Sequence, residues 1–362
     1  MDKNQETINN IQLGIDRIKN KEHKIVFYVQ DTKGNAKASV ATIYQHAKTL
    51  SDLGYKTIML HEKEDYMMVG SWLGSEYDEL EHHSIEKNEI KISPSDFLVV
   101  PEIYGNVIES VAKLPMEKIV LVQQFEHMLD SYAPGKSWLS FGTHETITTS
   151  DILKTLIEDT LRIKNVSVIP IGIEDYFVPI SIPKKPVIAL HCRDTKKAAK
   201  IIKQFYLKYP ILKFITFKDM HNMTMRDFAH NLKECAVAVW LDDISSFGTF
   251  PLEAIKCNVP VIGKAPSIIP AWMSDDNGIW VYDDNQIVDM IYNFMKSWLE
   301  DTLPEQYNNV AATIEGKFEM SELKKAVEEV YTSQFEKRVA KLETLKEKYV
   351  SLPEEITQPN AE

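Results

Sequence analysis

The stretch that most constrains this chain runs from Ala236 to Ile262, AVAVWLDDISSFGTFPLEAIKCNVPVI. It reads as strand, loop, helix, strand. Ala236–Trp240 is a short apolar run closed by Leu241-Asp242-Asp243, the pattern of a buried strand. Ser245-Ser246-Phe247-Gly248-Thr249 forms a loop. Pro251 suits the first turn of a helix, where its missing N–H would be unpaired anyway. Leu252 to Lys256 continue that helix, Asn258 stops it, and Val259-Pro260-Val261-Ile262 begins the next strand. A helix that opens just beyond the carboxyl end of a strand, behind a glycine loop, aims several N–H groups at one spot. Such a spot is an anion site, and phosphates are its usual occupants. Glu253, early in the helix, can stabilise the helix dipole or reach a ligand hydroxyl.

The same alternation occurs earlier. Lys24–Gln30 reads as a core strand and Asp31–Ala36 as a turn-rich loop containing Gly34. A helix with Val40, Ile43, Tyr44, Ala47 and Leu50 at helical spacing follows, then a strand at Lys56–Leu60. This order marks an open parallel sheet with crossover helices. Phe97–Val100 runs into Pro101-Glu102, and Ile119–Val122 into Gln123-Gln124-Phe125-Glu126-His127. Ligands of open α/β sheets gather beyond the carboxyl ends of strands, which makes Glu102, Glu126 and His127 candidates for a ligand site. Residues 63–90, with His82-His83, read as an irregular, solvated segment. Thr149–Arg162 reads as a helix capped at Ser150. Val166–Pro179 is a Pro/Gly-punctuated connection. Beyond it the pattern restarts, with strands at Pro186–His191, Leu212–Phe217 and Trp280–Tyr282 and helices at Lys196–Tyr209 and Ile287–Leu299.

A densely charged helix from Ser321 to Tyr349 carries an apolar stripe of Leu323, Val327, Val330, Val339 and Leu342. Part of it is expected to return to the first half, and the remainder to extend into solvent or pair with a second copy of the chain. The expected division is an N-terminal helix (1–22), a first Rossmann-like domain (23–172), a second (173–315), a C-terminal helical region (316–350) and a disordered tail (351–362).

The 362 residues give room for two domains of ordinary size, and 44% hydrophobic with 26% charged residues is the composition of a soluble globular protein. No apolar run is long enough to span a membrane. The polar start MDKNQETINNIQ shows no secretory signal. Cys192, Cys235 and Cys257 lie in or beside apolar runs and read as buried thiols of a reducing compartment, so a cytoplasmic location is expected. A net charge of −12 argues against an extensive basic face for nucleic acid, leaving only a local basic groove open. There is no G-x-G-x-x-G. Pro134-Gly135-Lys136-Ser137 imitates the end of a phosphate-binding loop, but Asp130 stands where its first glycine is needed. Asp242-Asp243 and Asp275-Asp276 read as solvated loop acids, and no metal set is expected.

Phe247, Gly248, Leu252, Glu253, Ala254 and Pro260-Val261-Ile262 resemble the C-terminal-domain signature of the family-4-type glycosyltransferases of GT-B fold, Glu-Gly-Phe-Gly-x-x-x-Leu-Glu-Ala. Ser245 stands at the first glutamate and Ser246 at the following glycine. Pro170, Gly172, Ile173, Phe177 and Pro179 resemble the inter-domain connection of that family, with Glu174 in place of its Asp. Gly34 matches one glycine of its N-terminal loop. "VPE" and "VQQFE" are similar to its rhamnosyltransferase-type branch.

The resemblance implies two Rossmann-like domains facing a cleft and transfer of a sugar from a nucleotide-diphosphate sugar to an acceptor hydroxyl. Anomeric configuration would be retained, with no metal and no cofactor beyond that co-substrate. It implies that Arg193 and Lys197 (or Lys196) bind the diphosphate, helped by N–H groups around Gly248 and Thr249. Glu253 would hold the ribose, and Phe247 and Ser245 would lie beside the donor, with His221 near the base. The first glutamate normally touches the transferred sugar, so Ser245 bears on donor choice and on activity. The expected acceptor is a surface glycan or lipid-linked glycan, with a hydroxylated DNA base as a distant alternative. Two other readings stay open. One is a nucleotide-sugar 2-epimerase on the same fold. The other is a non-catalytic binding protein descended from a transferase.

Overall fold

The computed structural model describes residues 3–87, 90–242, 247–266 and 268–351. Ser245, Ser246, Asp243 and the expected tail from 352 lie outside the described residues. Seven strands form the first sheet: β1 (Lys24–Tyr28), β2 (Lys56–His61), β3 (Glu81–Ser84), β4 (Phe97–Pro101), β5 (Glu117–Val122), β6 (Glu145–Thr148) and β7 (Val166–Val168). Their spatial order is β3-β2-β1-β4-β5-β6-β7, with every pair parallel. Five more form the second: β8 (Lys185–His191), β9 (Thr216–Asp219), β10 (Cys235–Trp240), β11 (Val261–Lys264) and β12 (Gly278–Val281). Their order is β12-β11-β10-β8-β9, again all parallel. The helices are α1 (Lys3–Lys19), α2 (Ala38–Asp52), α3 (Gly105–Ser110), α4 (Asp151–Leu161), α5 (Thr195–Lys208), α6 (Met225–Glu234), α7 (Thr249–Lys256), α8 (Ile287–Leu299) and α9 (Met320–Val350).

Both sheets are covered on both faces, as parallel sheets with crossover helices must be. Along β1, Ile25 and Phe27 enter one core with residues of α1, α2 and α9, while Val26 and Tyr28 enter another behind the sheet. The period of two along a strand produces that split. In β10, Ala238 and Trp240 face α6 and α7, while Val237 and Val239 face α5 and α8. Each strand order reverses once, between β1 and β4 and between β8 and β10. Those reversal points open crevices at the carboxyl ends of the strands.

Three elements depart from expectation. Residues 63–90 are not wholly irregular, because His82 and His83 lie on β3, paired to β2. His61 and His82 stack there with Tyr66. β6 has too few apolar residues to stand out in sequence. The strand expected at Leu212–Phe217 starts later, because Pro210–Leu212 closes a short 3₁₀ turn first.

The apolar stripe of α9 is largely covered by the chain itself. Leu323, Val327, Tyr331, Phe335 and Leu342 are buried in the core that α1 and α2 share. Lys19 reaches Glu343 and Lys346 reaches Gln12, so α1 runs antiparallel along the distal part of α9. The stripe is therefore not an open face for a second copy. Arg338 clamps α9 to the amino ends of the sheet. Its guanidinium donates to the Pro94 carbonyl (2.6 Å), the Pro115 carbonyl (2.7 Å) and Glu117 (3.0 Å).

The halves also meet through the connection between β2 and β3. The Met225 N–H, at the start of α6, donates to the Trp72 carbonyl at 2.9 Å. Glu174, in the segment joining the sheets, accepts from Gln45 of α2 and from Tyr77.

Candidate functional site

The carboxyl ends of the two sheets face one cleft with two adjoining lobes, of about 550 and 270 Å³. Lys37, Ile171, His191, His221 and Thr249 line both lobes. The combined space suits a ligand of nucleotide size.

The wall from the second sheet is built at the reversal point between β8 and β10. The chain leaving β8 turns at Arg193, whose N–H donates to Asp242 Oδ1 at 2.9 Å, so the two strand ends are tied across the crevice. Arg193 Nε lies 3.6 Å from the buried Asp242 Oδ2, yet the side chain stays 61% exposed at the larger lobe. Phe247 is buried, and its carbonyl accepts from Trp272 Nε1 at 2.9 Å. Gly248 caps α7 with a left-handed φ of 72°. The first turn of α7 leaves the Thr249 and Phe250 N–H groups without an intrahelical acceptor. Gly248 and both of those residues line the larger lobe, beside Arg193.

A Cβ at Gly248 would come within 3.0 Å of Trp240 and of Pro251. Gly248→Ala is expected to destabilise by about 1–2 kcal/mol through left-handed strain alone and to shift the start of α7. Urea unfolding measures the first effect and anion affinity the second. Unchanged values for both would remove Gly248 from the site's architecture.

Glu253 projects from α7 into the smaller lobe, among Gln45, Trp72, Glu174, Met223 and Phe228. Burial alone pushes its carboxyl up to about 8, so it is largely neutral at pH 7. His191, the last residue of β8, stacks on His221 with ring centroids 4.5 Å apart. Burial, then the neighbouring His221, lowers His191 to about 4, which leaves a neutral imidazole on the cleft wall. His221 Nδ1 sits 2.5 Å from Asp219 Oδ1.

On the opposite wall, Glu102 follows β4, and its Oε1 accepts the Gln124 N–H at 2.9 Å. Burial pushes its carboxyl up to about 7. His127 Nδ1 lies 2.8 Å from Asp130 Oδ2. Lys37, at the start of α2, donates to Gln30 at 3.2 Å.

The larger lobe thus brings together Arg193, Phe247, Gly248, Thr249, Glu102 and His127. The smaller holds Glu253 with Thr249 and His221. Three expected residues are placed elsewhere. Gly34 has a left-handed φ of 76° that turns its loop, but Asn35, Ala36 and Lys37 reach the cleft instead. Glu126 lines neither lobe. Lys197, expected on the diphosphate with Arg193, is absent from the lining of both lobes. Its ammonium donates to the Leu241 carbonyl at 2.8 Å and lies 2.9 Å from Asp284, so it braces the end of β10 from outside the lobes. Ser245 lies outside the described residues. Lys37, Gln45 and His191 line the cleft without a motif to mark them, and only the place of His191 at a strand's end could have suggested it; Glu174, in the inter-domain connection, lines it too. Among the described residues, no group of three or more His, Cys, Asp or Glu side chains is arranged to hold a metal ion, and no helix is long and apolar enough to cross a membrane.

No family model matches the chain. Sucrose-phosphate synthase from Thermosynechococcus elongatus superposes with a TM-score of 0.60 at 13% identity, covering 86% of this chain and 99% of that one. The pneumococcal O-GlcNAc transferase GtfA, solved with UDP and GlcNAc, gives 0.63 at 10% identity, over 88% and 99% of the two chains. Anabaena HepE, solved with UDP-glucose, gives 0.61 at 12% identity over 86% and 99%. The chain has the GT-B fold. Its GT-B cleft is the one described above, between the carboxyl ends of the two sheets. In sequence, an alpha-1,6-glucosyltransferase of Actinobacillus pleuropneumoniae serotype 7 (strain AP76) is 22% identical over 306 residues, 80% of this chain and 89% of that one. The rhamnosyl branch finds no counterpart among these relatives.

Proposed function

We propose that this GT-B protein is a glycosyltransferase that moves a sugar from a UDP-sugar, UDP-glucose first, to an acceptor hydroxyl. Retention of anomeric configuration and independence of metal belong to the same proposal. The observation that carries it is the union in one cleft of an exposed guanidinium, a glycine-capped helix start and a buried carboxyl one lobe further in. Arg193 and the α7 N–H groups supply positive charge where a leaving diphosphate gains negative charge. Glu253, in the smaller lobe between apolar walls, suits a ribose bearing a base. Glu102 and His127, across the larger lobe, suit hydroxyls of the sugar or acceptor, a glycan or lipid-linked glycan. The UDP and UDP-glucose held by the GtfA and HepE structures, and the likeness to the Actinobacillus glucosyltransferase, support the choice of donor.

The test is a thermal-shift series with UDP, GDP, ADP and dTDP, with and without EDTA, followed by turnover of UDP-glucose. A ligand at a hundred times its Kd raises stability by about 2.7 kcal/mol, a readily visible shift. An EDTA-insensitive shift with UDP and release of UDP from UDP-glucose are expected; no shift with any diphosphate would overturn the reading.

A second reading, nucleotide binding without transfer, is favoured by Ser245, which stands where the resembled family has its first glutamate. If Lys197 only braces the strand end, Lys197→Ala lowers stability and leaves UDP affinity within about twofold, a change of about 0.4 kcal/mol. A tenfold loss of UDP affinity with unchanged melting would place Lys197 on the diphosphate instead.

A further inference from the structure

The half built on the second sheet carries a surface that the cleft does not use. Between Thr195 and Ile215 every charged residue is a lysine, in a chain whose net charge is −12. The inner face of α5 is apolar, with Ile201 and Phe205 buried against the sheet and α8. Its outer face presents Lys196, Lys200, Lys203 and Leu207, at alternating spacings of four and three that place them on one side of the helix. The helix ends in Tyr209-Pro210, and the chain then turns across the edge of the sheet beside β9. There Ile211, Lys213 and Phe214 also point outward. Leu207, Ile211 and Phe214 are 71%, 81% and 57% exposed. Lys208 is committed to Asp289 and Lys197 to Asp284, and the Asp194 carboxylate caps α5. The basic charge left on this face comes from Lys196, Lys200, Lys203 and Lys213.

Three large apolar side chains grouped at one end of a lysine-faced helix are not the scattered apolar exposure of an ordinary surface. Exposed apolar tips beside lysines suit a surface that is apolar within and anionic at its boundary. Lysine stems can lie along an apolar boundary while their ammonium groups reach phosphate headgroups. A second copy docking face to face would set these lysines against one another.

We propose that this face, Lys196 to Lys203 with Leu207, Ile211 and Phe214, docks the chain on an anionic lipid surface. The apolar tips enter the headgroup boundary and the lysines lie on the acidic lipid. Docking of this kind requires no donor in the cleft, and its failure would leave the proposed sugar transfer standing.

The test is flotation of the full chain with phosphatidylcholine vesicles, with and without phosphatidylglycerol, at low and high salt. Binding to the anionic vesicles alone, lost at high salt, is expected. The variants Lys200→Glu/Lys203→Glu/Lys213→Glu and Leu207→Ser/Ile211→Ser/Phe214→Ser should each lower the bound fraction about tenfold. Their melting should be unchanged, since all six side chains are exposed. Lys113→Glu/Lys324→Glu, which changes exposed lysines elsewhere, should bind like the parent. No flotation with either vesicle, or equal flotation of all variants, overturns the proposal. A concentration-dependent dimer that the serine variant abolishes would also overturn it, by assigning the face to a second copy.

Discussion

Replacing Glu253 by alanine is expected to weaken UDP binding by about 1.5–3 kcal/mol, roughly 10- to 100-fold, because a ribose would lose its charge-assisted acceptor in a desolvated lobe. Glu253→Gln keeps the shape and removes the charge, so it separates recognition from packing. The pH dependence carries a sign. Burial holds the carboxyl at about 8, against about 4.5 ordinarily. The folded chain therefore holds a proton that the unfolded chain gives up earlier. The stability tied to this group is fully present below about pH 4.5 and is lost as pH rises through 8. Relative to Glu253→Gln, the parent should become progressively less stable from pH 5 to 8.

Ligand binding should run the other way. If the ribose hydroxyls are held by the carboxylate, UDP binding expels the proton and tightens over the same interval. Calorimetry in buffers of different ionisation heat measures the released proton directly. UDP affinity equal in parent, Ala and Gln proteins at every pH would detach Glu253 from the donor.

The second large effect lies far from the cleft. Arg338→Ala should destabilise by about 1–3 kcal/mol, because it strips the Pro94 and Pro115 carbonyls of one donor fork and leaves the largely buried Glu117 carboxylate to Lys341. Arg338 and Glu117 are only 14% and 13% exposed as side chains, so solvent replaces little of what is lost. Arg338→Lys keeps the charge but cannot span the Pro94 and Pro115 carbonyls together, and should recover only part of the loss. Urea unfolding with a UDP titration distinguishes this clamp from a functional role: stability falls while affinity of the folded fraction stays. A loss below 0.5 kcal/mol would show that α1 and the core hold α9 without it.

The legible parts of the fold are those that repeat a local period. β1, β8 and β10 show as apolar runs, and α8 reads from Ile287 to Leu299 as its pattern does. Gly248 and Pro251 punctuate the start of α7. β3 was hidden because Glu81, His82 and His83 are polar and show no apolar alternation, although they pair with β2 through both backbone and side chains. Lys197 shows the other limit. It stands at the start of the right helix, but neighbouring helical positions differ by about 100° in direction, and its own aims at Asp284. Lys37 and Gln45 become cleft residues only when two distant segments meet, and nothing local records that meeting.

The backbone bond between Met225 and Trp72 has a use of its own. It joins the two halves at the rim of the smaller lobe, through an amide rather than a side chain. That amide is a built-in gauge of how far the halves part. Its hydrogen exchanges with solvent when the rim opens, while amides within β10 wait for deeper unfolding. Slowing at this one position, read peptide by peptide as ligands are added, would rank molecules that bridge the halves above those that settle on one side.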